Sequence, residues 1–523
     1  MKLNNKFLRI LVSLLISAGS LGVAAAAGCD VLPTPQSVVP QKGFCRVGDF
    51  VALSFKITPD VQIPSKELAE AIVGKGVNIR QVSTVDTVLA PESYALTVSG
   101  TGAEITASSY SGLIYGLQTL AQLVSDKNEV ECVTISDTPR CGWRGFMLDS
   151  GRQWQSVETI KKYIDMASML KLNRFHWHLT EGLGWRPEIK AYPNLTEIGA
   201  NVGHAPGQKG CYSREQMAEI VEYAAQRAVQ IVPEIDIPGH SEAALVAYPW
   251  ASCTGSDIKV PEVGFSDNIF CAGKDTTIAM LETILDEICD IFPSEYIHIG
   301  GDEAPKGNWD KCPHCIGRIN NLGLKDSHDL QLWLAARMAT HLKTRNRKAV
   351  MWGDVVYSTG YPLPDNCVVQ WWNFRSKGDL AVRNALKSGL EVILSPNYYN
   401  YLNFPVTPWA GYSAERTFDL EDAYCRNPMT AVLDEDNPLV LGATCALWTD
   451  YGVTESMIDS RVFPRIFALT QRMWHRGEEL TYEALCARIA KVRPFFEKRG
   501  FCFGPADRAE AANYYWSICQ PVP

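Results

Sequence analysis

Short apolar runs alternate with amphipathic stretches along most of the chain from residue 144 onward. The runs are rich in β-branched and aromatic residues, and in the stretches between them apolar residues recur at helical spacing. Eight runs are found, at Gly145–Leu148, Arg174–Leu179, Gln230–Ile235, Tyr296–Ile299, Ala349–Trp352, Val368–Trp371, Glu391–Leu394 and Leu439–Leu447. The helical stretches are Ser156–Leu170, Ser213–Ala228, Thr277–Ile291, Asp326–Arg345, Lys377–Ser388 and, after the last run, Val453–Arg476. Strand and helix alternating eight times predicts an α/β fold, a (β/α)8 TIM barrel.

The residues before the barrel have a different pattern. Apolar or alternating runs at Phe50–Thr58, Gly76–Ser83 and Ser93–Val98 accompany two helical stretches, Lys66–Val73 and Ser111–Val124. The polar, proline-containing segment Ile135–Arg140 marks a boundary. We therefore expect a small α/β domain over residues 29–139, the barrel over 140–480, and a helical extension over 481–523 packed on the barrel.

The first 28 residues have the pattern of a signal peptide. Lys2, Lys6 and Arg9 form a basic start, an apolar stretch runs to Val23, and small residues follow. Two processing routes stay open: cleavage at the alanine-rich site, or a bacterial lipoprotein cut before Cys29, because residues 26–29 resemble a lipobox without its usual leucine. Either route predicts an exported protein, whether periplasmic, outer-membrane lipoprotein or secreted.

Composition narrows the function classes. Hydrophobic residues make up 46% of the chain and charged residues 20%, which excludes a disordered chain. The net charge of −9 gives no attraction to nucleic acid or to an anionic membrane face. The 14 tryptophans and 20 tyrosines indicate either a large core or a surface that stacks on flat or sugar-like ligands.

The chain also contains 16 cysteines, whose pairing cannot be deduced from the sequence. Cys312-Pro-His-Cys315 is a C-x-x-C motif, but a structural zinc needs four ligands and no second pair lies at finger-like spacing. We interpret this motif as a local disulfide or two packed thiols.

Polar and aromatic residues stand where the predicted strands end, the edge at which TIM barrels place their chemistry. In strand order they are Asp149 and Arg152; His176, His178 and Glu181; Asp236 and His240; His298, Asp302 and Glu303; Trp352 and Asp354; Trp371 and Trp372; Tyr398, Tyr399 and Tyr401; Trp448 and Asp450. Carboxylates can protonate a leaving oxygen and stabilise a developing cation, and aromatic faces pack against sugar rings. The sequence carries neither a P-loop nor a dinucleotide fingerprint, so a glycan is the expected ligand.

Four motifs on successive strands resemble those of the glycoside hydrolase family 20 β-N-acetylhexosaminidases. They are Arg144-Gly-Phe-Met-Leu-Asp-Ser-Gly-Arg152, Phe175-His-Trp-His-Leu-Thr-Glu181 with Gly184-Trp-Arg186, Pro233-Glu-Ile-Asp-Ile-Pro-Gly-His240, and His298-Ile-Gly-Gly-Asp-Glu303. A small N-terminal domain before the barrel is usual in that family. Family 20 is the substrate-assisted exception to the two-carboxylate scheme of glycosidases.

The resemblance implies the catalytic roles. Glu303 would be the general acid and later the base that activates water. Asp302 would hold the 2-acetamido group and stabilise a cyclic oxazolinium intermediate, so the nucleophile would be the amide oxygen of the substrate. His240 would contact Glu303, and Glu181 would orient His240. No metal and no organic cofactor is implied.

The resemblance also implies the binding residues. Arg152 would bind the 3- and 4-hydroxyls of the terminal sugar, Tyr401 the acetamido oxygen, and Asp450 the 4- or 6-hydroxyl. Trp352, Trp372 and Trp448 would wall the pocket. The expected activity is exo-acting hydrolysis of terminal, non-reducing β-linked GlcNAc or GalNAc from a glycan or glycoconjugate.

The sequence departs from the family in two places, at the pair Glu181-Gly182 and at Asn403. Many members carry two aspartates where this chain has Glu181-Gly182, and the aspartate expected shortly after the pocket tyrosine is Asn403. Both changes leave the reaction intact but put in doubt how the sugar hydroxyls and the leaving group are recognised.

Three rival functions remain open from the sequence. The first is a metal-dependent hydrolase that uses His176, His178 and Asp302, although an H-x-H motif normally ends the first barrel strand and here it ends the second. The second is a retaining glycosidase with a carboxylate nucleophile, and the third is a glycan-binding protein on an inactive barrel. If no metal is bound, His176 and His178 are interpreted as buried histidines with satisfied hydrogen bonds.

Overall fold

The computed structural model describes residues 30–518, apart from 47–50, 76, 85–87, 257, 263 and 435. The expected signal peptide and Cys29 lie outside these residues. Within the described ranges, none of the helices combines the length and the apolar content needed to cross a bilayer.

The N-terminal domain is a six-stranded mixed sheet with the strand order β1-β6-β4-β5-β2-β3. Its strands are β1 Ser37–Arg46, β2 Val51–Ile57, β3 Val77–Thr84, β4 Tyr94–Ser99, β5 Gly102–Ala107 and β6 Glu129–Asp137, and its helices are α1 Lys66–Val73 and α2 Tyr110–Leu123. Helix α2 is almost entirely buried because it packs against the sheet on one side and against the barrel on the other. The sequence pattern missed β1, an edge strand whose side chains are mostly exposed and therefore lack apolar alternation.

Eight parallel strands close the barrel in the order β7-β8-β11-β12-β13-β14-β15-β16, and β16 pairs with β7 to complete the ring. These strands are β7 Trp143–Asp149, β8 Arg174–His178, β11 Gln230–Glu234, β12 Tyr296–His298, β13 Lys348–Trp352, β14 Cys367–Trp371, β15 Glu391–Leu394 and β16 Val440–Leu447. A two-stranded hairpin, β9 Thr180–Glu181 and β10 Gly184–Trp185, follows β8. The predicted fold class, a (β/α)8 barrel preceded by a small α/β domain, is confirmed.

The barrel helices differ in length around the ring. They are α3 Val157–Met169, α4 Asn194–Glu197, α5 Arg214–Ala225, α6 Glu242–Ala247, α7 Asp275–Ile291, α8 Pro313–Leu322, α9 Ser327–Thr344, α10 Phe374–Lys377, α11 Leu380–Lys387, α12 Leu420–Cys425, α13 Met429–Val432, α14 Ile458–Val462 and α15 Arg465–Trp474. Between β13 and β14 the chain forms only a 3-10 turn, residues 353–357. The predicted helix Val453–Arg476 is split into α14 and α15, because Pro464 between them has no N–H to donate within a continuous helix.

A buried polar network joins the two domains. The Arg144 guanidinium, at the start of β7, donates to both carboxylate oxygens of Glu92, at 2.9 and 3.1 Å, and to Tyr115 Oη at 3.2 Å. Beside it, Lys171 Nζ lies 2.8 Å from Asp137 Oδ2, and both side chains are fully buried. These charges are neutralised only when the domains are in contact.

The chain ends in two helices, α16 Tyr482–Glu497 and α17 Arg508–Ile518. Leu485, Val492 and Phe496 of α16 belong to the hydrophobic core of the barrel. The same helix reaches the N-terminal domain, because Lys491 Nζ donates to Asp30 Oδ1 at 2.9 Å.

Candidate active site

A cavity of about 710 Å³ opens at the carboxyl ends of the barrel strands. Eight of the ten residues proposed from the sequence line it: Arg152, His240, Asp302, Glu303, Trp372, Tyr401, Trp448 and Asp450. The other two, Glu181 and Trp352, lie behind this lining. The barrel therefore brings the predicted residues to one mouth, although they are far apart along the chain.

The turn after β12 explains how adjacent carboxylates reach one cavity. Neighbours on an extended strand point to opposite faces, but here Gly300 and Gly301 have φ of +64° and +104°, and Glu303 itself has φ of +46°. A Cβ at position 300 would lie 1.8 Å from Asp236 Oδ1, so only glycine fits. The turned backbone aims both Asp302 and Glu303 at the cavity, the first nearly buried and the second with 40% of its side chain exposed.

His240 connects the two carboxylates to a third. Its Nε2 lies 3.5 Å from Asp302 Oδ2 and 3.7 Å from Glu303 Oε2, and its Nδ1 lies 2.7 Å from Glu181 Oε1. Burial alone would lower the pKa of His240, but the carboxylates of Glu181 and Asp302 outweigh burial and raise that pKa well above its usual value. The imidazole is therefore held as a cation between its carboxylate neighbours.

Glu181 is clamped from two sides. Its Oε1 also forms an ion pair with the Nη2 of Arg152, whose Nη1 donates to Asp149 Oδ2 at 3.0 Å. Burial opposes ionisation of Glu181, but Arg152 and His240 together lower its pKa to about 2. A continuous chain of charges thus runs from Arg152 through Glu181 and His240 to Asp302 and Glu303.

Asp302 has the opposite electrostatic setting. Burial and the nearby Asp236 carboxyl raise its pKa well above the usual range, and the charge on His240 only partly offsets them. Burial likewise raises the pKa of Asp236 to about 8. A carboxylate in this position is stabilised by any positive charge that develops on a bound ligand.

Asp354 is a site residue whose role was not predicted from the sequence. Its Oδ1 accepts the backbone N–H of Glu303 at 3.4 Å, and its Oδ2 accepts the indole N–H of Trp372. Burial, supported by the charge of Glu303, raises its pKa to about 6. The sequence did contain a signal for this residue, because Asp354 lies two residues beyond the end of a predicted strand.

Aromatic rings form the wall of the cavity. Trp372 and Tyr401 are nearly parallel, with centroids 6.4 Å apart and an interplanar angle of 11°, and the Trp448 ring lies 6.0 Å from Tyr401. Arg152 sits 5.0 Å from the Trp448 ring centroid. Tyr398 and Tyr399, the neighbours that could have replaced Tyr401, do not line the cavity.

Trp352 occupies a different place from the one expected. Only 1% of it is exposed, and it packs behind Trp448 with ring centroids 5.7 Å apart. Its Nε1–H donates to Glu234 Oε1 at 2.7 Å, inside the barrel. In this structure Trp352 supports the aromatic wall from behind, and its predicted contact with a sugar stays a prediction.

Both departures from the family pattern have local reasons. A Cβ at Gly182 would lie 2.7 Å from Glu242 Oε2, so the carboxyl of Glu242 fills the space that a side chain there would need. Asn403 Nδ2 donates to Asp450 Oδ1 at 3.1 Å and to Tyr412 Oη at 2.8 Å. An aspartate at 403 would face the Asp450 carboxylate with no proton to donate, whereas asparagine satisfies it.

A second group of histidines lies beneath the cavity, around Glu234. Glu234 Oε2 is 2.7 Å from His176 Nε2 and 2.6 Å from His178 Nδ1, and Oε1 is 3.1 Å from His298 Nδ1. All four side chains are buried. We call these four residues with Trp352 the floor cluster. It fits the interpretation of His176 and His178 as buried histidines, but each makes a hydrogen bond to Glu234 through one ring nitrogen only, and among the described residues the other nitrogen has no hydrogen-bond partner.

Two groups of carboxylates and histidines near the barrel mouth have the donor atoms of a metal site. His176, Glu234 and His298 form one, and Asp236, His240 and Asp302 form the other, each with three donors within 4.8 Å. The first is shut off below the cavity. In the second, the imidazole of His240 already supplies positive charge between the carboxylates, so neither group requires a metal to account for its geometry.

Comparison with known proteins agrees with this geometry. Residues 141–477 match the model of the glycosyl hydrolase family 20 catalytic domain, and residues 28–138 match its domain 2. The beta-hexosaminidase of Porphyromonas gingivalis is 37% identical over 430 residues, which are 77% of this chain and 54% of that protein. The chain thus spans about half the length of this curated relative.

Solved structures give the same relationship. The β-N-acetylhexosaminidase of Bacteroides fragilis has a TM-score of 0.86 and 50% identity, covering 93% of this chain and 99% of that one. The exo β-N-acetylglucosaminidase of Vibrio harveyi, solved in complex with N-acetylglucosamine, has a TM-score of 0.79 and 26% identity, covering 91% and 78%. With its barrel, its N-terminal domain and the H-x-G-G-D-E turn that ends β12, the chain belongs to glycosyl hydrolase family 20.

Proposed function

We propose that the chain is a β-N-acetylhexosaminidase that removes terminal, non-reducing β-linked GlcNAc or GalNAc with retention of configuration. The observation that carries this proposal is the pairing of Asp302 and Glu303 on one imidazole nitrogen of His240. One of the carboxyls is buried and the other is exposed to the cavity, and two different roles require this difference.

Glu303 acts as the general acid in this proposal. Its partly exposed carboxyl protonates the glycosidic oxygen as the bond between that oxygen and C1 breaks. After the aglycone leaves, the same carboxylate takes a proton from water, which attacks C1. The nearby imidazole of His240 holds the carboxyl group in the cavity through both steps.

Asp302 acts on the acetamido group. Its carboxylate accepts the amide N–H and turns the amide oxygen toward C1, where it forms the ring of an oxazolinium ion. The buried, electrostatically unfavourable position of Asp302 is relieved as positive charge spreads over that ring. Water then reopens the ring, so configuration is retained and no covalent bond to the protein forms.

Exo action is part of this proposal, and the residues that line one part of the cavity support it. Arg152, Asp450 and Trp448 meet at one side of it, where guanidinium and carboxylate groups can hydrogen-bond the hydroxyls of a terminal ring. A single sugar then has its non-reducing end against these groups and its anomeric carbon beside Glu303. The aromatic wall thus fits one terminal residue better than a long polysaccharide track.

Paired substrates test the mechanism. p-Nitrophenyl β-GlcNAc should be cleaved and p-nitrophenyl β-glucose should not, because glucose lacks the acetamido nucleophile. A thiazoline analogue of the oxazolinium ring should inhibit competitively, and Asp302→Asn should weaken that inhibition. Equal cleavage of both glycosides would overturn substrate assistance and favour a carboxylate nucleophile.

We also propose that the mature protein is exported, through the N-terminal residues that lie outside the described part of the chain. Mass spectrometry of the mature N-terminus distinguishes the two routes: a diacylglyceryl group on Cys29, or a free terminus at the alanine-rich site. An intact Met1 in all of the protein would contradict export by this segment.

A further inference from the structure

Four cysteines from two loops converge beside the barrel mouth. Cys253 and Cys271 lie in the long connection between β11 and α7, and Cys312 and Cys315 lie between β12 and the first turn of α8. Their Sγ atoms all lie within 4.8 Å of one another. The sequence suggested a local disulfide or two packed thiols at Cys312 and Cys315; instead, the fold brings a second pair from a distant segment to them.

The distances fit one tetrahedral ion. The Sγ–Sγ separations are 3.7 Å for Cys253 and Cys315, and 3.8 and 3.6 Å from Cys271 to Cys312 and Cys315. Zinc–thiolate bonds of about 2.3 Å place the sulfurs of a tetrahedron about 3.8 Å apart. Each of the four cysteines is a free thiol in the structure, so no covalent bond already joins them.

The backbone around the four cysteines favours negatively charged sulfurs and lets the two loops lie close together. Cys312 precedes α8 and Cys315 lies in its first turn, where the exposed N–H groups and the helix dipole stabilise negative charge. A Cβ at Gly273 would lie 2.2 Å from the His314 carbonyl carbon, so glycine is what allows the two loops to approach so closely.

We propose that Cys253, Cys271, Cys312 and Cys315 bind one Zn²⁺ as a closed, structural tetrathiolate site. Four protein ligands leave no open position, which is the arrangement of structural rather than catalytic zinc. Each thiol loses its proton to solvent on binding, so the site carries a net charge of −2. Lys274 and Arg318 lie around it: Lys274 Nζ donates to Ser252 O, and Arg318 Nη2 donates to Gly273 O.

The ion would tie together the two loops that carry the catalytic groups. The segment between Cys253 and Cys271 contains Phe265, whose ring lies 5.5 Å from that of His240 and lines the cavity. The second loop begins with the turn that carries Asp302 and Glu303. Zinc at this position would therefore hold the cavity rim in place from outside, without touching the substrate.

Metal analysis of the purified full-length chain is the first test. The expected result is one equivalent of zinc per chain, retained through gel filtration, and its loss in Cys315→Ser. Cys253→Ser alters the least buried ligand and covers the case in which the first variant does not fold. Cys425→Ser, at an exposed cysteine away from the cluster, is the matched control and should keep its zinc.

Two results would overturn the proposal. One is a chain free of metal whose intact mass is lower by four hydrogens in this cluster, which would mean two disulfides instead. The other is a different metal at full occupancy after growth with zinc. These measurements do not depend on hydrolase activity, so the zinc site and the proposed reaction can fail separately.

Cobalt supplies a spectroscopic test on the wild-type chain. Co²⁺ exchanged into the site should show thiolate-to-metal charge-transfer bands and the intense d–d bands of a tetrahedral tetrathiolate. Zinc X-ray absorption should give only sulfur neighbours, at about 2.3 Å. Weak octahedral bands, or a nitrogen and oxygen shell, would contradict the four-cysteine assignment.

Discussion

Two clusters of carboxylates and histidines lie at the same end of the barrel, and they differ in how completely the oxygens of their carboxylates are hydrogen-bonded. In the floor cluster, both oxygens of Glu234 are hydrogen-bonded, Oε2 to His176 and His178 and Oε1 to Trp352, and His298 Nδ1 lies 3.1 Å from Oε1. Burial would raise the pKa of Glu234, but the surrounding histidines hold it well below its usual value.

The carboxyl groups at the barrel mouth, Asp302 and Glu303, are less completely paired than Glu234. Glu303 presents 40% of its side chain to the cavity, and Asp302 is buried among carboxyl groups that raise its pKa. A carboxylate with hydrogen bonds to both of its oxygens serves to hold the structure together, whereas Asp302 and Glu303, which lie 3.5 and 3.7 Å from a single imidazole nitrogen, remain available to act on a ligand.

Removing the acid at the mouth should have the largest effect. Glu303→Gln should lower kcat/KM by about 10²–10⁴-fold for glycosides with poor leaving groups, because the departing oxygen loses its proton donor. Thermal unfolding should hardly change, since the side chain is partly exposed. Glu295→Gln, an exposed glutamate just before the opposite end of β12, is the matched control and should keep full activity. Full activity in Glu303→Gln would remove the acid assignment.

A substitution in the floor cluster should instead lower the stability of the fold. Glu234→Gln leaves three histidines around an uncharged amide and should cost about 3–5 kcal/mol of stability, the usual penalty for breaking a buried ionic network. Urea unfolding at neutral pH measures this loss. Activity per folded molecule should change much less than in Glu303→Gln. A stable Glu234→Gln protein that has lost catalysis would show that the floor takes part in the reaction.

Glu181 is a buried, ion-paired carboxylate that also orients His240 at the barrel mouth. Its contribution to the stability of the fold should therefore depend on pH. Its folded pKa of about 2 lies below the unfolded value near 4.5, so its charge stabilises the fold above pH 4.5, and this stabilisation disappears as pH falls toward 2. The shift corresponds to roughly 3 kcal/mol. The stability difference between wild type and Glu181→Gln should therefore be largest above pH 4.5 and shrink on acidification. A constant difference from pH 6 to pH 3 would contradict the ionised state of Glu181.

The smallest expected effect is at Trp352. Trp352→Phe keeps an aromatic ring behind Trp448 but removes the N–H that Glu234 accepts, which should cost about 1–3 kcal/mol of stability. KM for p-nitrophenyl β-GlcNAc should stay within a few-fold of wild type, because so little of this ring is exposed. A large rise in KM without a loss of stability would instead restore Trp352 to the sugar-binding wall.

Much of the mouth was predictable because a barrel collects its strand ends at one edge. Arg152, His240, Asp302 and Trp448 were found among the few residues after each apolar run, and the resemblance to the family supplied their roles. The direction in which each side chain points was harder to predict from the sequence. Trp352 also ends a strand, but its side chain points into the barrel, where it donates to Glu234. Strand alternation decides this direction, and a one-residue shift of the strand end reverses it.

Contacts between distant loops were not predictable from spacing. Cys253 and Cys271 meet Cys312 and Cys315 only because β11 and β12 are neighbours in the ring. The role of Asp354 likewise depends on the turn that brings the Glu303 N–H to it. The edge strand β1 was missed because exposure removes the apolar pattern on which such a prediction relies.

The ion pair between the buried Arg144 guanidinium and Glu92 affects whether the two domains could be exchanged separately during evolution. A recombination event that exchanged the N-terminal domain for an unrelated one would leave the guanidinium at the first barrel strand without its carboxylate. A replacement domain would have to supply an acidic side chain in the same place. The sheet domain and the barrel are therefore expected to be inherited together as one unit, even though the described residues that line the cavity all belong to the barrel.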